Sequence, residues 1–146
     1  MRWFLALTAL ILCSCGAPET LRVRQFHLRD IEPTDGHDFI RAEMNMRLHG
    51  AVTLAERKLR LGNYYHLRWR GLSGKAPVKI VFDYRQARTG ATVRRLEVMA
   101  EPSKKGDREI AIKGRDYLRD GHVQSWRVRL YDGEKLVATK KSYLWD

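Results

Sequence analysis

The two cysteines of this chain, Cys13 and Cys15, are its most reactive side chains, and they lie two residues apart. A disulfide between them would close too small a loop for relaxed geometry. Both follow directly on an apolar run, "WFLALTALIL", which extends from Trp3 to Leu12. The chemistry open to the two thiols therefore depends on what that run does.

The apolar run follows Arg2 and has the length of the hydrophobic region of a secretory signal peptide. It is too short to cross a bilayer as a helix, which takes about 20 residues. A buried core helix, the alternative, would lack a polar face and would start at the first residue. The sequence therefore predicts a signal peptide over residues 1–14 and an exported protein.

The end of this segment, "LCSC" (Leu12 to Cys15), resembles the lipobox of bacterial lipoproteins. In that family a Leu precedes two small residues and an acylated cysteine, and Cys13 is a less usual occupant of its position. The resemblance implies that the chain is cut between Ser14 and Cys15 and that the thiol of Cys15 carries a diacylglycerol. Cys13 is the alternative lipid site, but its use would put the bulky Leu12 at the cut.

Residues 15–19 would then form a short lipidated tether ahead of a domain at residues 20–146. A fully extended chain gains at most about 3.3–3.6 Å per residue, so this tether reaches roughly 15–20 Å. Gly16 is not the aspartate that some proteobacteria read as an inner-membrane retention signal. The expected location is therefore the outer membrane, facing the periplasm, with the domain held close to the lipid surface.

The rest of the sequence contains no recognisable catalytic motif. The segment "GLSGK" (Gly71 to Lys75) lacks the glycine spacing of a nucleophile elbow and of a phosphate-binding loop. The five histidines show no spacing of the kind that zinc sites use. The sequence therefore predicts a non-enzymatic protein without a cofactor.

An acidic loop, "RDIEPTDGHDF", gathers carboxylates around a glycine turn. Oxygen ligands in such a turn are what a calcium loop needs, although the spacing does not match an EF-hand. We interpret the segment as a solvated connection between the first two strands, with Asp35 and Gly36 forming the turn, and keep an ion site as the alternative. The candidate ligands are Asp30, Glu32, Asp35 and Asp38.

Alternation of apolar and polar residues with period two dominates residues 20–146 and predicts strands. Residues 40–49, "IRAEMNMRLH", are predicted to form one of them. A change of phase at Gln25 predicts a bulge in the first strand. The other predicted strands are "TLRVRQFHL", "KLRLGNYYHLRWR", "PVKIVFDY", "EIAIK", "SWRVRLY" and "KLVATKKSYLW", and "AVTLAERKL" is predicted to be a short helix.

Glycines in "RTGA" and "YDGEK" predict hairpin turns between these runs. Seven or eight strands at this spacing predict an all-β antiparallel sandwich that resembles an immunoglobulin-like domain in architecture only; a small β-barrel is the alternative. The inward phase of three strands further predicts that Trp69, Phe82, Trp126 and Val128 are buried together.

The chain carries 28 Lys and Arg residues against 17 Asp and Glu residues, a formal net charge of +11. Such an excess bears on partners rather than on the fold. One explanation is a solvated surface that blunts edge pairing and aids solubility; the other is a site for anionic lipid, an envelope polymer or a protein partner. The arginines predicted to point outward from strands are Arg22, Arg24, Arg41, Arg47, Arg60, Arg68, Arg70, Arg127 and Arg129.

Arg60, Arg68 and Arg70 share the outward face of one predicted strand, which makes them our candidate contact with anionic head groups. Nucleic acid is not an expected partner, because an exported protein rarely meets it and no binding motif accompanies the charge. The sequence thus predicts a membrane-anchored bacterial envelope lipoprotein that acts as a non-enzymatic binding or assembly module. The alternative is a small periplasmic hydrolase or carbohydrate-active enzyme whose catalytic groups meet only in the fold.

Overall fold

The computed structural model describes residues 19–30 and 38–146. The predicted signal peptide and Cys15 lie outside the described residues, as do Glu32 and Asp35 of the acidic loop. The described residues form a sandwich of two antiparallel β-sheets with three short helices, so the predicted all-β fold class is confirmed.

Seven strands and three helices make up this described part of the chain. The strands are β1 (Leu21–Leu28), β2 (Gly62–Arg70), β3 (Val78–Gln86), β4 (Arg94–Ala100), β5 (Lys105–Lys113), β6 (Val123–Asp132) and β7 (Lys135–Lys141). The helices are α1 (Asp38–Leu48), α2 (Leu54–Arg60) and α3 (Arg115–Asp120), and a 3-10 turn (Tyr143–Trp145) follows β7. None of the described helices has the length and apolar character needed to span a bilayer.

One sheet has the strand order β1-β2-β5 and the other the order β4-β3-β6-β7, with antiparallel pairing throughout. An immunoglobulin constant domain groups its first, second, fourth and fifth strands in one sheet. Here β4 pairs with β3 in the opposite sheet instead. The strand order therefore has the immunoglobulin-like form, with one edge strand exchanged between the sheets.

The main core lies between the two sheets, where both inner faces contribute apolar side chains. Trp69, Phe82 and Val128 are buried in it, as the alternation predicts. Trp126 packs against the same cluster but is only partly buried, and its Nε1 donates a hydrogen bond to Gln25 Oε1 at 2.9 Å. The predicted inward phase of β2, β3 and β6 is thus confirmed, with Trp126 less buried than expected.

The predicted strand at residues 40–49 is wrong, because residues 40–48 lie in α1 and His49 follows its end. Its apolar residues recur at intervals of four as well as two, which is also the spacing of a helix face. Met44 and Leu48 pack on the sheet at that spacing, whereas Met46, which a strand would turn inward, is 63% exposed. Arg41 and Arg47 are therefore helix residues, not outward strand residues.

The segment before β2 is also helical, so Leu59 and Arg60 belong to α2 rather than to the strand predicted for them. The helix predicted at "AVTLAERKL" is confirmed. It begins with a capping box: the Thr53 hydroxyl accepts a hydrogen bond from Glu56 N at 3.1 Å, and the Glu56 carboxylate accepts one from Thr53 N at 2.9 Å. These reciprocal bonds satisfy backbone donors that the first turn of a helix leaves unpaired.

The bulge predicted at Gln25 is wrong as well, because β1 pairs with β2 from end to end without a shift of register. The change of phase has another cause. Leu21 and Val23 face the core between the sheets, whereas Phe26 and Leu28 face the outer side, where residues of α1 and α3 cover the sheet. The strand therefore buries opposite faces at its two ends.

Candidate functional site

A cleft of about 590 Å³ opens at the end of the sandwich where the chain enters β1. Four cationic side chains and two carboxylates line it, contributed by three neighbouring strands and by Glu19, two residues before β1. Trp69 and Gly106 complete the lining. The charged residues are Arg22 of β1, Arg68 and Arg70 of β2, Lys105 and Asp107 of β5, and Glu19.

The strand register places like charges directly opposite one another in this cleft. Arg22 faces Arg68 across β1 and β2, and Arg70 faces Lys105 across β2 and β5. Cβ atoms at such positions are about 4.5–5.5 Å apart, and like charges there destabilise a sheet. Asp107 faces Arg68 on its other side and offsets part of the repulsion. The cleft therefore carries a surplus of positive charge that a bound anion would neutralise.

Glu19 contacts both sheets at the point where the chain enters the sandwich. Its carbonyl accepts a hydrogen bond from Arg70 Nε at 3.2 Å, and its carboxylate pairs with Lys140 of β7 and, at 3.6 Å, with Arg22. The hydrogen bond and the charge of Lys140 hold the pKa of Glu19 below its ordinary value. The carboxylate is therefore ionised at neutral pH and already engaged by cations.

The Trp69 wall of the cleft depends on a glycine. The Trp69 indole lies against Gly106, its register partner on β5, and a Cβ atom at position 106 would stand 2.5 Å from Cζ2 of the ring. Any side chain there would displace the indole. The Nε1 of Trp69 is buried and has no hydrogen-bond partner within residues 19–30 and 38–146. Packing alone therefore holds the ring in place.

Two of the three arginines predicted to contact anions lie in the cleft, Arg68 and Arg70. The placement of Arg60 beside them is wrong. Its guanidinium donates hydrogen bonds to the carbonyl of Arg47, at 3.0 Å, and to that of His49, beyond the end of α1. A cation there satisfies carbonyls that the last turn of a helix leaves unpaired. Arg60 thus terminates α1, at the opposite end of the three-stranded sheet from the cleft.

Sequence reasoning identifies Arg22 only as one of many outward arginines, and it misses Lys105. The predicted strand "EIAIK" begins at Glu109, whereas β5 begins at Lys105. The residues in between, Lys105 to Arg108, include no apolar side chain and so show no alternation. The side chains of Lys105 and Asp107 reach the cleft because β5 pairs with β2, and no sequence pattern shows which strands are neighbours.

The acidic loop is only partly described. Asp30, just after β1, and Asp38, the first residue of α1, are both exposed. Glu32 and Asp35 lie outside the described residues, so the ion site remains a prediction. Within the described ranges, no three His, Cys, Asp or Glu side chains are grouped so as to hold a metal ion.

A histidine and a tyrosine lie together at the helix-covered end of the three-stranded sheet. His27 Nε2 and the Tyr117 hydroxyl are 2.7 Å apart, and the ring centres of His27 and His122 are 5.9 Å apart. Burial, with smaller contributions from the charges of Arg29 and His122, lowers the pKa of His27 to about 4. The His27 imidazole is therefore neutral at pH 7.

Three arginines surround a buried carboxylate on the outer face of the four-stranded sheet. Asp83 of β3 is fully buried and accepts hydrogen bonds from Arg95 of β4 at 2.7 Å and from Arg127 and Arg129 of β6 at 2.9 and 3.0 Å. Burial by itself would raise the pKa of Asp83, but the guanidinium groups outweigh it and lower the pKa. This second cationic cluster is separate from the cleft.

Comparison of the chain with protein-family models, with curated proteins and with solved structures finds no match. Function is therefore inferred from the cleft, the charge distribution and the sequence of the first nineteen residues.

Proposed function

We propose that this chain is a lipid-anchored protein of the bacterial cell envelope, whose β-sandwich is a non-enzymatic binding module. In this proposal Cys15 carries the lipid, the protein lies at the outer membrane facing the periplasm, and the cleft binds anionic head groups. The observation that carries the proposal is that like charges face each other in the strand register of the cleft, Arg22 opposite Arg68 and Arg70 opposite Lys105.

Facing cations of this kind raise the energy of the empty cleft, because each repels its neighbour. An anion between them would turn that repulsion into attraction. Guanidinium groups favour phosphate in particular, since their planar donor pairs match two oxygens at once. The site therefore suits a phosphate-bearing head group better than a neutral ligand.

The position of the cleft supports a membrane as the source of the anion. Glu19, part of the lining, lies four residues beyond Cys15, and an extended chain of that length reaches only roughly 15 Å. An anchored Cys15 would hold the cleft close to the lipid surface. Each basic residue near an anionic membrane contributes about 1 kcal/mol of attraction.

The alternative, a small hydrolase or carbohydrate-active enzyme, would need a carboxylate free to transfer a proton. Of the two carboxylates in the cleft, Glu19 is held ionised by Lys140 and also pairs with Arg22, and Asp107 faces Arg68 in the strand register. His27, whose pKa is strongly lowered, lies at the other end of the sheet and not in the cleft. These placements favour binding over catalysis.

Vesicle co-sedimentation of residues 16–146, which lack the anchor, tests the cleft. Binding should rise with the fraction of anionic phospholipid and fall with salt. A triple variant, Arg22→Gln, Arg68→Gln and Lys105→Gln, should lose most of this binding. A control with the same change of charge, Arg57→Gln, Lys58→Gln and Arg115→Gln, alters exposed residues of α2 and α3 and should bind nearly as wild type. Equal losses in both variants would contradict the proposal.

Metabolic labelling with a fatty-acid analogue tests the anchor. Wild type and Cys13→Ala should be labelled, and Cys15→Ala should not. Labelling that persists in Cys15→Ala would remove the lipoprotein assignment, whatever the vesicle experiment shows about the cleft.

A further inference from the structure

The cluster around Asp83 leaves most of its donors unused. Asp83 accepts one hydrogen bond from Arg95, two from Arg127 and one from Arg129. Each guanidinium offers five N–H groups, so one carboxylate occupies only a minority of them. Three guanidinium groups surround the one carboxylate of Asp83, with the charge of Glu97 acting more weakly on Arg95. The Arg95, Arg127 and Arg129 side chains remain 52%, 34% and 23% exposed.

The cluster is also held rigid. Asp83 ties together side chains from β3, β4 and β6, three adjacent strands. Trp145 of the 3-10 turn packs under the Arg127 guanidinium, 5.0 Å from the ring centre, and its carbonyl accepts a hydrogen bond from Arg85 Nη1 at 3.0 Å. Because these arginines are ordered before any ligand arrives, binding costs them less conformational entropy.

The cluster points away from the cleft. Arg22, Arg68 and Asp107 of the cleft lie on the outer face of the sheet β1-β2-β5, opposite to the core face that carries Trp69, and the cluster lies on the outer face of the other sheet. The outer faces of a sandwich look in opposite directions. A flat membrane that contacts one of them cannot contact the other, so the occupant of the second face is not the bilayer that the cleft would meet.

We propose that the outer face of β4-β3-β6-β7 is a second anion-binding surface, built on Arg95, Arg127 and Arg129, for a linear polymer that carries repeated sulfate, phosphate or carboxylate groups. Arg127 and Arg129 are two residues apart on one strand, about 7 Å at Cα, and Arg95 lies two strands away, about 10 Å. The three guanidinium groups converge on Asp83, but Lys79 and Arg85 of β3 lie on the same outer face, about 20 Å apart along the strand. Cations distributed over that length suit charges that repeat along a chain better than one small anion. The exclusion of a bilayer as the occupant rests on the proposed function of the cleft, whereas the charge pattern of this surface does not.

Binding of fluorescent dextran sulfate to the full chain in detergent, followed by fluorescence anisotropy at physiological salt, tests this surface. Arg95→Gln with Arg129→Gln leaves Arg127 to pair with Asp83 and should weaken binding by about tenfold or more, because two charge-assisted contacts are lost. The matched control, Arg57→Gln with Arg115→Gln, makes the same change in net charge and should weaken it by less than about threefold. The single variant Arg95→Gln, at the most exposed of the three, should show an intermediate loss and guards against misfolding of the double variant.

Several outcomes would overturn the inference. Equal losses in the double variant and its control would mean that overall charge, and not this face, binds the polymer. A loss in the cleft variant Arg22→Gln, Arg68→Gln and Lys105→Gln, with none in Arg95→Gln and Arg129→Gln, would assign the polymer to the cleft. Inorganic sulfate and unlabelled dextran sulfate can also be compared as competitors at equal sulfate concentration and ionic strength. If inorganic sulfate competes equally well, the ligand of this surface is a small anion and not a polymer.

Discussion

The outer face of the three-stranded sheet differs sharply between its two ends. At one end Phe26 and Tyr64 lie beneath helices, and the guanidinium of Arg47 of α1 stands 3.9 Å from the centre of the Tyr64 ring. At the other end Arg22 and Arg68 stand side by side in an open cleft. The same strands, paired in one continuous register, supply both ends. Backbone pairing therefore does not decide which part of the face is buried.

The connections between strands make the difference. The covered end receives two long connections, residues 29–61 with α1 and α2 and residues 114–122 with α3. The open end receives only short ones, residues 71–77 and 101–104. A helix brings apolar side chains that can bury a sheet face, whereas a short turn does not reach over it. Short connections thus leave a cleft where a ligand can approach the sheet.

The largest loss of stability is expected at the covered end, from Tyr64→Ala. Tyr64 is 4% exposed and its hydroxyl donates a hydrogen bond to the Arg60 carbonyl at 2.5 Å. Removing the ring opens a cavity beneath α1 and should lower the free energy of unfolding by about 3–5 kcal/mol. Chemical denaturation measures this loss. Tyr64→Phe keeps the ring and loses only the hydrogen bond, so its cost should be about 1 kcal/mol; equal costs would show that the helices do not depend on the ring.

A smaller effect is expected at the open end, from Gly106→Ala. The new Cβ atom would meet the Trp69 ring at 2.5 Å, so the indole must move. Such overpacking costs about 1–3 kcal/mol. Chemical denaturation measures the loss of stability, and a shift of the tryptophan emission maximum reports the movement of the indole. In the double variant Trp69→Phe and Gly106→Ala the smaller ring lacks the contacting atom, so the two penalties should not add; strict additivity would place the indole elsewhere.

His27, at the covered end, makes the free energy of unfolding depend on pH. Since the pKa of His27 is about 4 in the folded chain and about 6.5 when unfolded, the unfolded chain binds more protons between these values. The free energy of unfolding should therefore fall as the pH drops from about 6.5 to about 4. The partly buried ring is screened by solvent, so we expect a loss on the order of 1 kcal/mol.

Stability measured against pH in His27→Gln and in His49→Gln separates this effect from other titrations. His49 is exposed just beyond α1 and serves as the matched control. The loss between pH 6.5 and pH 4 should shrink in His27→Gln only. A wild-type profile in both variants would mean that His27 is protonated as readily in the fold as in the unfolded chain.

The smallest change in the free energy of unfolding is expected from Arg68→Gln, which should stabilise the fold slightly, whereas Tyr64→Ala should destabilise it. Removing Arg68 relieves its repulsion with Arg22, although it also frees Asp107. The free energy of unfolding should stay within about 0.5 kcal/mol of wild type and rise slightly at low salt. Added salt should erase the difference by screening exposed charges. A large loss of stability would make Arg68 a structural residue and weaken the contrast between the two ends.

Period-two alternation predicts β2, β3 and β6 correctly, because one face of each is buried in the core between the sheets. It fails at residues 40–49, where Met44 and Leu48 satisfy both a strand and a helix spacing. It fails again at Gln25, since β1 buries opposite faces at its two ends. In both cases a helix from the long connection covers the outer face, and a pattern read within one segment contains no information about that cover.

The cleft was predictable in part. Alternation marks Arg68 and Arg70 as outward residues of one strand, and both line the cleft. Arg22 and Lys105 join them through pairing with β1 and β5, which depends on the arrangement of the whole sheet. Asp83 was not foreseen either, because its burial comes from arginine side chains of β4 and β6 that fold over it.

The attachment of Glu19 also has a mechanical consequence. Glu19, two residues before β1, is bound to Arg70 on one sheet and to Lys140 on the other. A pulling force applied through the residues before Glu19, directed along β1, would load both contacts and the whole β1–β2 ladder in shear. Hydrogen bonds that lie across the direction of force must break together, whereas a force directed away from the sheet would peel them one by one. The contacts of Glu19 would therefore transmit tension in the preceding chain into both layers of the sandwich.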